Sequence, residues 1–372
     1  MTAEPTVAVI GAGVIGLAVA WRLAAAGHAV TVFDPNPARG GASWVAGGML
    51  APVTEAWPGD EAVLELGEES LRRWPAFAAE LSAAGADPGL SRAGTIVAAF
   101  DRADAEQLEI HAGYLRELGR EASFVTGREL RRAEAGLAGA VRGGLLVPGD
   151  LAVDNRRLLN ALVGAARRHG AEFVREEVVE LAPGSVHTAG AVHRADAVVL
   201  AAGAWSAGLA PELAGAVRPL KGEILRLRAR RTTLPPPHRT VRAVVEGRPV
   251  YLVPRQDGEL VLGATQYEAG FDTTVTARGV RELLEGAERI FPAIAEYELT
   301  ETAAGLRAAS ADNLPYLGEL ADGLFAATGH HRNGLLLAPV TADAVLAWLA
   351  GAPPPPGVAA AHPSRVRREE RV

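Results

Sequence analysis

Apolar positions along this chain fall into two rhythms, and their order outlines the elements. Short apolar runs predict strands at Val7-Ala8-Val9-Ile10 and Val30-Thr31-Val32-Phe33 and a buried one at Ala197-Val198-Val199-Leu200, and Glu172-Phe173-Val174 reads as a further strand. Apolar side chains three or four apart predict helices from Leu17 to Ala26 and from Glu61 to Leu81, the latter through Val63, Leu66, Leu71, Trp74, Phe77 and Leu81. Residues 104–119 read the same way through Leu108, His111, Leu115 and Leu118, with His111 on the packing face. Asp154-Asn155 supplies an N-cap for a helix from Arg156 to His169. Between 216 and 266 the character changes. Val217 to Leu227, Val241 to Val245, Tyr251 to Pro254 and Glu259 to Ala264 are short strands broken by Gly, Pro and charged turns, which predicts an antiparallel sheet. Arg230 to Arg239 reads as an exposed loop, and a helix from Arg278 to Phe291 stops at Pro292. Gly323 to Gly329 is again a strand ending in glycine, followed by a helix from Leu335 to Leu349 that Pro339 interrupts early.

The first strand, helix and strand carry a specific signature. Gly11-Ala12-Gly13-Val14-Ile15-Gly16 lies between strand and helix, and the second strand ends in Asp34, about the ~20 residues on that a dinucleotide fingerprint requires. Gly11 permits the tight turn, Gly13 lets backbone approach a diphosphate, and Gly16 lets helix pack on strand. The helix N-terminus offers free N–H groups to that diphosphate. Asp34 accepts from ribose hydroxyls and repels a 2′-phosphate, which disfavours NADP and leaves NAD or FAD. The run Arg39 to Pro52, rich in small residues, suits backbone laid closely on a flat ligand.

Composition narrows the class. A chain of 372 residues exceeds one ordinary domain, and 49% hydrophobic with 22% charged residues describes a soluble globular protein. A net charge of −7 gives no basic footprint for nucleic acid. The absence of cysteine removes disulfides, thiolate metal sites, a thiol nucleophile and any cysteinyl-linked flavin, and fits a reducing cytoplasm. No metal site is expected. Glu4, Pro5 and three glycines argue against a signal peptide, and Arg22 ends the apolar start short of a membrane span. Nucleotide-binding pattern at the start, middle and end, with other segments between, predicts an α/β chain. Residues 1–84, 146–215 and 303–350 form one discontinuous cofactor domain, 85–145 and 216–302 an α+β substrate domain, and 351–372 a mobile tail.

The late strand and turn decide between the cofactors. A second helix start aimed at the site, after Gly329-His330-His331-Arg332-Asn333-Gly334, suits a flavin, whose reduced ring carries negative charge that a helix N-terminus stabilises. At this point the chain resembles the glycine oxidases of thiamine biosynthesis, within the D-amino-acid oxidase group of FAD enzymes. The resemblance spans roughly residues 6–350. It rests on the fingerprint, Ala46 to Pro52, Arg218-Pro219-Leu220-Lys221-Gly222, Tyr251 to Arg255, Gly305-Leu306-Arg307 and Gly329 to Gly334.

The resemblance implies a Rossmann-type FAD-binding domain of the glutathione-reductase type with an inserted antiparallel-sheet substrate domain. It implies non-covalent FAD held by Gly11, Gly13, Val14, Ile15, Gly16, Asp34, Ala42, Ser43, Gly47, Gly48, Met49 and Val178, with His330, His331, Arg332, Asn333, Gly334, Leu335 and Leu336 wrapping the isoalloxazine. Arg307 and Arg332 match substrate-carboxylate positions and Tyr251 an aromatic hydroxyl in the same pocket. Arginine suits that task, because its planar fork holds a carboxylate with two parallel hydrogen bonds. Gln266 departs from an apolar position of the family and bears on pocket polarity. The implied reaction takes a hydride from Cα of glycine, sarcosine or D-alanine to flavin N5, giving imine or glyoxylate, ammonia and hydrogen peroxide. Tetramers and hand-over to thiazole synthase are further implications. The rival readings are an FAD-dependent amino-acid or secondary-amine dehydrogenase with an acceptor other than oxygen, and an NAD-binding sensor.

Overall fold

The computed structural model describes residues 5–366. A six-stranded sheet runs in the spatial order Tyr316–Ala321, Leu324–Thr328, Ala197–Leu200, Thr6–Ile10, Ala29–Phe33, Glu172–Val174, parallel throughout except for its first strand. Alternation along Thr6–Ile10 sends Val7 and Val9 into a core with four helices. These are Val14–Ala25, Glu61–Ala83, Asn155–Arg168 and Gly334–Leu349. Ala8 and Ile10 go to the opposite core, which a three-stranded meander over residues 178–194 covers. Asp154 caps its helix, accepting from the amides of Arg156 and Arg157.

An eight-stranded sheet stands beside it, in the order Glu298–Ala309, Arg218–Arg228, Glu259–Gly263, Arg248–Pro254, Thr240–Val245, Thr95–Ala99, Gly143–Val147, Ser123–Thr126. The expected antiparallel pattern holds except at one junction, where Thr240–Val245 runs parallel to Thr95–Ala99. The helix Ala277–Ile290 closes one face of this sheet through Leu283, Ala287 and Ile290. Arg156 and Glu301 tie the two parts together with two bonds of 2.8 and 2.6 Å. Among the described residues no helix is long and apolar enough to cross a membrane.

Two expectations need correction. The last helix runs unbroken through Pro339. Ser70 and Trp74, from the long helix Glu61–Ala83, make this possible: both donate to the Leu336 carbonyl, at 2.6 and 2.9 Å, and the Ser70 hydroxyl accepts from the Val340 amide. Tertiary partners thereby satisfy groups near the proline. The stretch set apart as a mobile tail is instead packed as far as residue 366. Val358 and Ala361 enter the first core, and Arg365 pairs with Asp312 at 2.8 Å. Residues 367–372 lie outside the described residues.

Candidate active site

A cavity of about 480 Å³ opens where the two sheets meet. Three stretches far apart in the chain supply its walls. From the first come Val14 at the start of the first long helix, Ala42 and Ser43, and the backbone turn Gly47-Gly48-Met49. From the last come His331, Arg332, Asn333, Gly334 and Leu335. The eight-stranded sheet adds Tyr251 and Arg307. Outside the cavity wall lie Gly11, Gly13, Ile15, Gly16, Asp34, Val178, His330, Leu336 and Gln266.

Those outside are not idle. A Cβ on Gly16 would sit 1.9 Å from the Gly11 carbonyl oxygen, and one on Gly11 2.5 Å from that of Ala201, so this turn closes only around glycine. The Gly11 φ of +102° makes the same demand. Asp34 accepts from the amides of Ala12 and Asn36, both at 2.7 Å, which fixes its carboxylate beside the glycine turn. Gly13 caps the first helix without a side chain, while the Val14 amide donates to Ser43 Oγ at 3.0 Å. Val178 opens the meander and is buried in the same core as Phe33. His330 is buried with Nε2 on Thr341 Oγ1 at 3.0 Å, and burial pushes its pKa down to about 3, so it is neutral near pH 7.

The Gly47-Gly48 turn is gripped from behind. Arg255 Nη2 donates to the Gly47 carbonyl at 2.6 Å, and buried Asn155 donates to the carbonyls of Ser43 and Trp44 at 2.9 and 2.8 Å. Gly47 has no room for a Cβ, which would meet the Tyr251 ring at 2.7 Å. Sequence reading used Asn155 only as part of a cap.

Charge at the cavity is unbalanced. Arg307 forms no ion pair among the described residues and donates only to the carbonyls of Thr265 and Lys221, at 3.3 and 3.5 Å. Burial, and then the nearby Arg332 cation, pulls its pKa below the usual arginine value, against the opposing pull of Tyr251. Arg332 donates to Gln266 Oε1 at 2.9 Å. Burial raises the Tyr251 pKa against the charges of Arg307 and Arg255, so the phenol stays protonated. His331 bonds through Nδ1 to Asn313 at 2.9 Å, whereas its buried Nε2 has no partner among the described residues. Burial, then Arg332 and Arg307, pushes its pKa down to about 4. Two guanidinium groups, a phenol and a neutral imidazole therefore face a confined space, an arrangement that holds a small anion.

Sequence reading missed the outer wall. Arg242 pairs with Glu55 at 3.0 Å and donates to Thr54 Oγ1 at 3.0 Å, and Thr54 in turn donates to fully buried Asp150 at 2.9 Å. All three cavity-side members, Arg242, Thr54 and Glu55, line the space. The sequence shows only that Arg242 interrupts an apolar strand; its place directly across from Tyr251 is set by the register of the sheet. His111, placed on a packing face, does pack there, stacked on Trp57 with ring centres 4.7 Å apart, and it also reaches the cavity.

Known proteins share this architecture. The glycine oxidase of Geobacillus kaustophilus is 36% identical over 352 residues, 92% of either chain. Its crystal structure superposes with a TM-score of 0.88, covering 97% of this chain and 98% of that one. A bifunctional ThiO/ThiG protein of Trichormus variabilis is 32% identical over 98% of this chain, which spans only 55% of that longer protein. The model of the FAD dependent oxidoreductase family DAO matches residues 6–348, the whole span from the glycine turn to the last helix. With its fingerprint, its returning helix and its cavity in one frame, the chain belongs to the DAO family of FAD dependent oxidoreductases.

Proposed function

We propose that this protein oxidises glycine and similarly small amines with FAD and oxygen, releasing imine or glyoxylate, ammonia and hydrogen peroxide. The residues fit the cofactor. The Gly11–Gly16 turn and the helix start at Val14, whose N-cap Gly13 brings no side chain, suit a diphosphate, and Asp34 stands where a ribose is expected. His331 Nε2, buried with no partner among the described residues, and the helix start at Gly334, where Asn333 makes no side-chain cap, suit the polar edge of a flavin. Held there, FAD would supply the two-electron acceptor that oxidation of the substrate Cα–N bond needs, with oxygen as the final oxidant. The protein's share is orientation. Arg307, with Arg332, clamps the carboxylate, Tyr251 borders it as a protonated phenol, and the neutral imidazole of His331 adds no further positive charge beside an arriving amine.

The observation that carries this reading is Arg307, a part-buried guanidinium beside the flavin-type turn with no counter-ion among the described residues. We also assign residues 1–84, 146–215 and 303–350 to the cofactor domain and 85–145 with 216–302 to the substrate domain. Membership of the six-stranded sheet supports this, although Gly143–Val147 and Glu298–Ala309 cross those limits. Hand-over of the product to thiazole synthase draws support from the relatives that carry both names in one chain.

The test is peroxide release from glycine, sarcosine and D-alanine by the yellow holoenzyme under air. Arg307→Ala should keep its flavin but lose about 2–5 kcal/mol of substrate binding, read as a steep rise in KM. No peroxide from glycine by flavin-loaded protein overturns the reaction, and an unchanged KM in the variant overturns the role of Arg307.

A further inference from the structure

Of the 37 Lys and Arg residues in this chain, Lys221 alone is lysine. It is also almost fully buried, at 2% exposure, on the strand Arg218–Arg228. Arginine serves at every other basic position, including the partly buried ones, so the exception asks for a reason. Its surroundings give one. Lys221 Nζ donates to Asp272 Oδ2 at 2.9 Å and to the Thr274 carbonyl, with Glu223 Oε1 3.8 Å away. A compact ammonium fills so tight a nest, whereas a planar guanidinium fork is too wide for it.

Both hydrogen-bond acceptors of Lys221 Nζ belong to residues 264–276, the segment joining the strand Glu259–Gly263 to the helix Ala277–Ile290. The same strand holds the segment at further points. Lys221 exchanges two backbone bonds of 3.0 Å with Tyr267. Glu223 accepts from the Thr265 hydroxyl at 3.2 Å and from the Thr276 amide at 2.8 Å. Within this anchored segment each cavity arginine touches one residue. Thr265 offers its carbonyl to Arg307, and Gln266 offers its side-chain oxygen to Arg332. Arg307 comes from the strand Glu298–Ala309 and Arg332 from the turn before the last helix, so this segment is where the two heads are brought to a common reference.

We propose that Lys221 is a positioning residue: by holding Asp272 and Thr274 it fixes the 264–276 segment, and Thr265 with Gln266 then sets the spacing of Arg307 and Arg332 for a small carboxylate. The proposal rests on the carboxylate role given to those arginines above. Chemistry at the reacting carbon does not pass through Lys221, so its loss should weaken binding more than turnover.

The experiment compares wild-type, Lys221→Arg, Asp272→Asn and Arg307→Lys holoenzymes. Each is measured for KM and kcat with glycine, for flavin content, and for acetate binding through the visible flavin spectrum. Asp272→Asn removes the charge from a half-exposed side chain and keeps Lys221 in place, so it carries the test if Lys221→Arg does not fold. The expected result is a rise of about tenfold in KM and in the acetate Kd, with kcat within about twofold and flavin content unchanged. KM and acetate Kd at wild-type values in Asp272→Asn, while Arg307→Lys raises both, overturn this proposal alone. Wild-type values in both variants overturn the arginine reading with it. A fall in kcat and flavin content with KM unmoved marks Lys221 as fold support only and also overturns it.

Discussion

Single residues shape this site largely by what they omit. A Cβ on Gly222 would lie 2.3 Å from Arg307 Nη1 and 2.6 Å from its Cζ. Gly222 sits on an ordinary antiparallel strand, paired with Gly305, so the backbone does not demand glycine there. The missing side chain makes room for the guanidinium face. Because the clashing atoms are the far end of a long side chain, Gly222→Ala should leave the fold intact and push the guanidinium aside. The expected outcome is a thermal midpoint close to wild type with a KM for glycine raised about tenfold, in line with the cost of misplacing one charged contact. A wild-type KM in that variant would show that the head of Arg307 has freedom to spare.

Elements differ in how openly the sequence declares them. The first strand, glycine turn, helix and Asp34 were legible because their signal is local and each glycine answers one steric demand. The strands between 216 and 266 were legible because Gly, Pro and charged turns bound each short run locally. Arg242 was not, since alternation tells that it shares a face with Val244 but not whether water or a cavity lies there. The unbroken helix past Pro339 was hidden too: its reason is Ser70 and Trp74, more than 260 positions away. That repair is testable. Ser70→Ala removes a donor to the Leu336 carbonyl and an acceptor for the buried Val340 amide, which should cost roughly 1–3 kcal/mol. Denaturant midpoints of the two proteins measure it, and equal midpoints would mean the helix supports itself.

At the scale of the whole molecule, buried titratable groups couple stability to pH. Burial pushes Asp150 up to about 7, against the pull of Thr54 and Arg242, and one of its oxygens has no partner among the described residues. In the unfolded chain it ionises near 3.8. Between those values the folded form holds a proton that the unfolded form has lost, so its contribution to stability declines as pH rises, by up to about 1.4 kcal/mol per unit. His330 and His331 act in the opposite sense. Held down to about 3 and about 4 from 6.5, they make the unfolded chain the better proton acceptor, and stability falls as pH drops below 6.5. Asp150→Asn isolates the first effect. Its stability relative to wild type should climb from about pH 4 to 7 and then level off, measured by chemical denaturation across that range, and a flat difference would place Asp150 in water when ionised.

The grip on the Leu336 carbonyl reaches further than one helix. That oxygen lies one residue past Leu335, where this part of the cavity wall ends, and the hands that hold it belong to the long helix Glu61–Ala83. Prying that helix away slackens the wall, so pigment and cohesion should depart in one event. The fading of the yellow colour on heating would then serve as a gauge of a joint some distance from where the colour resides.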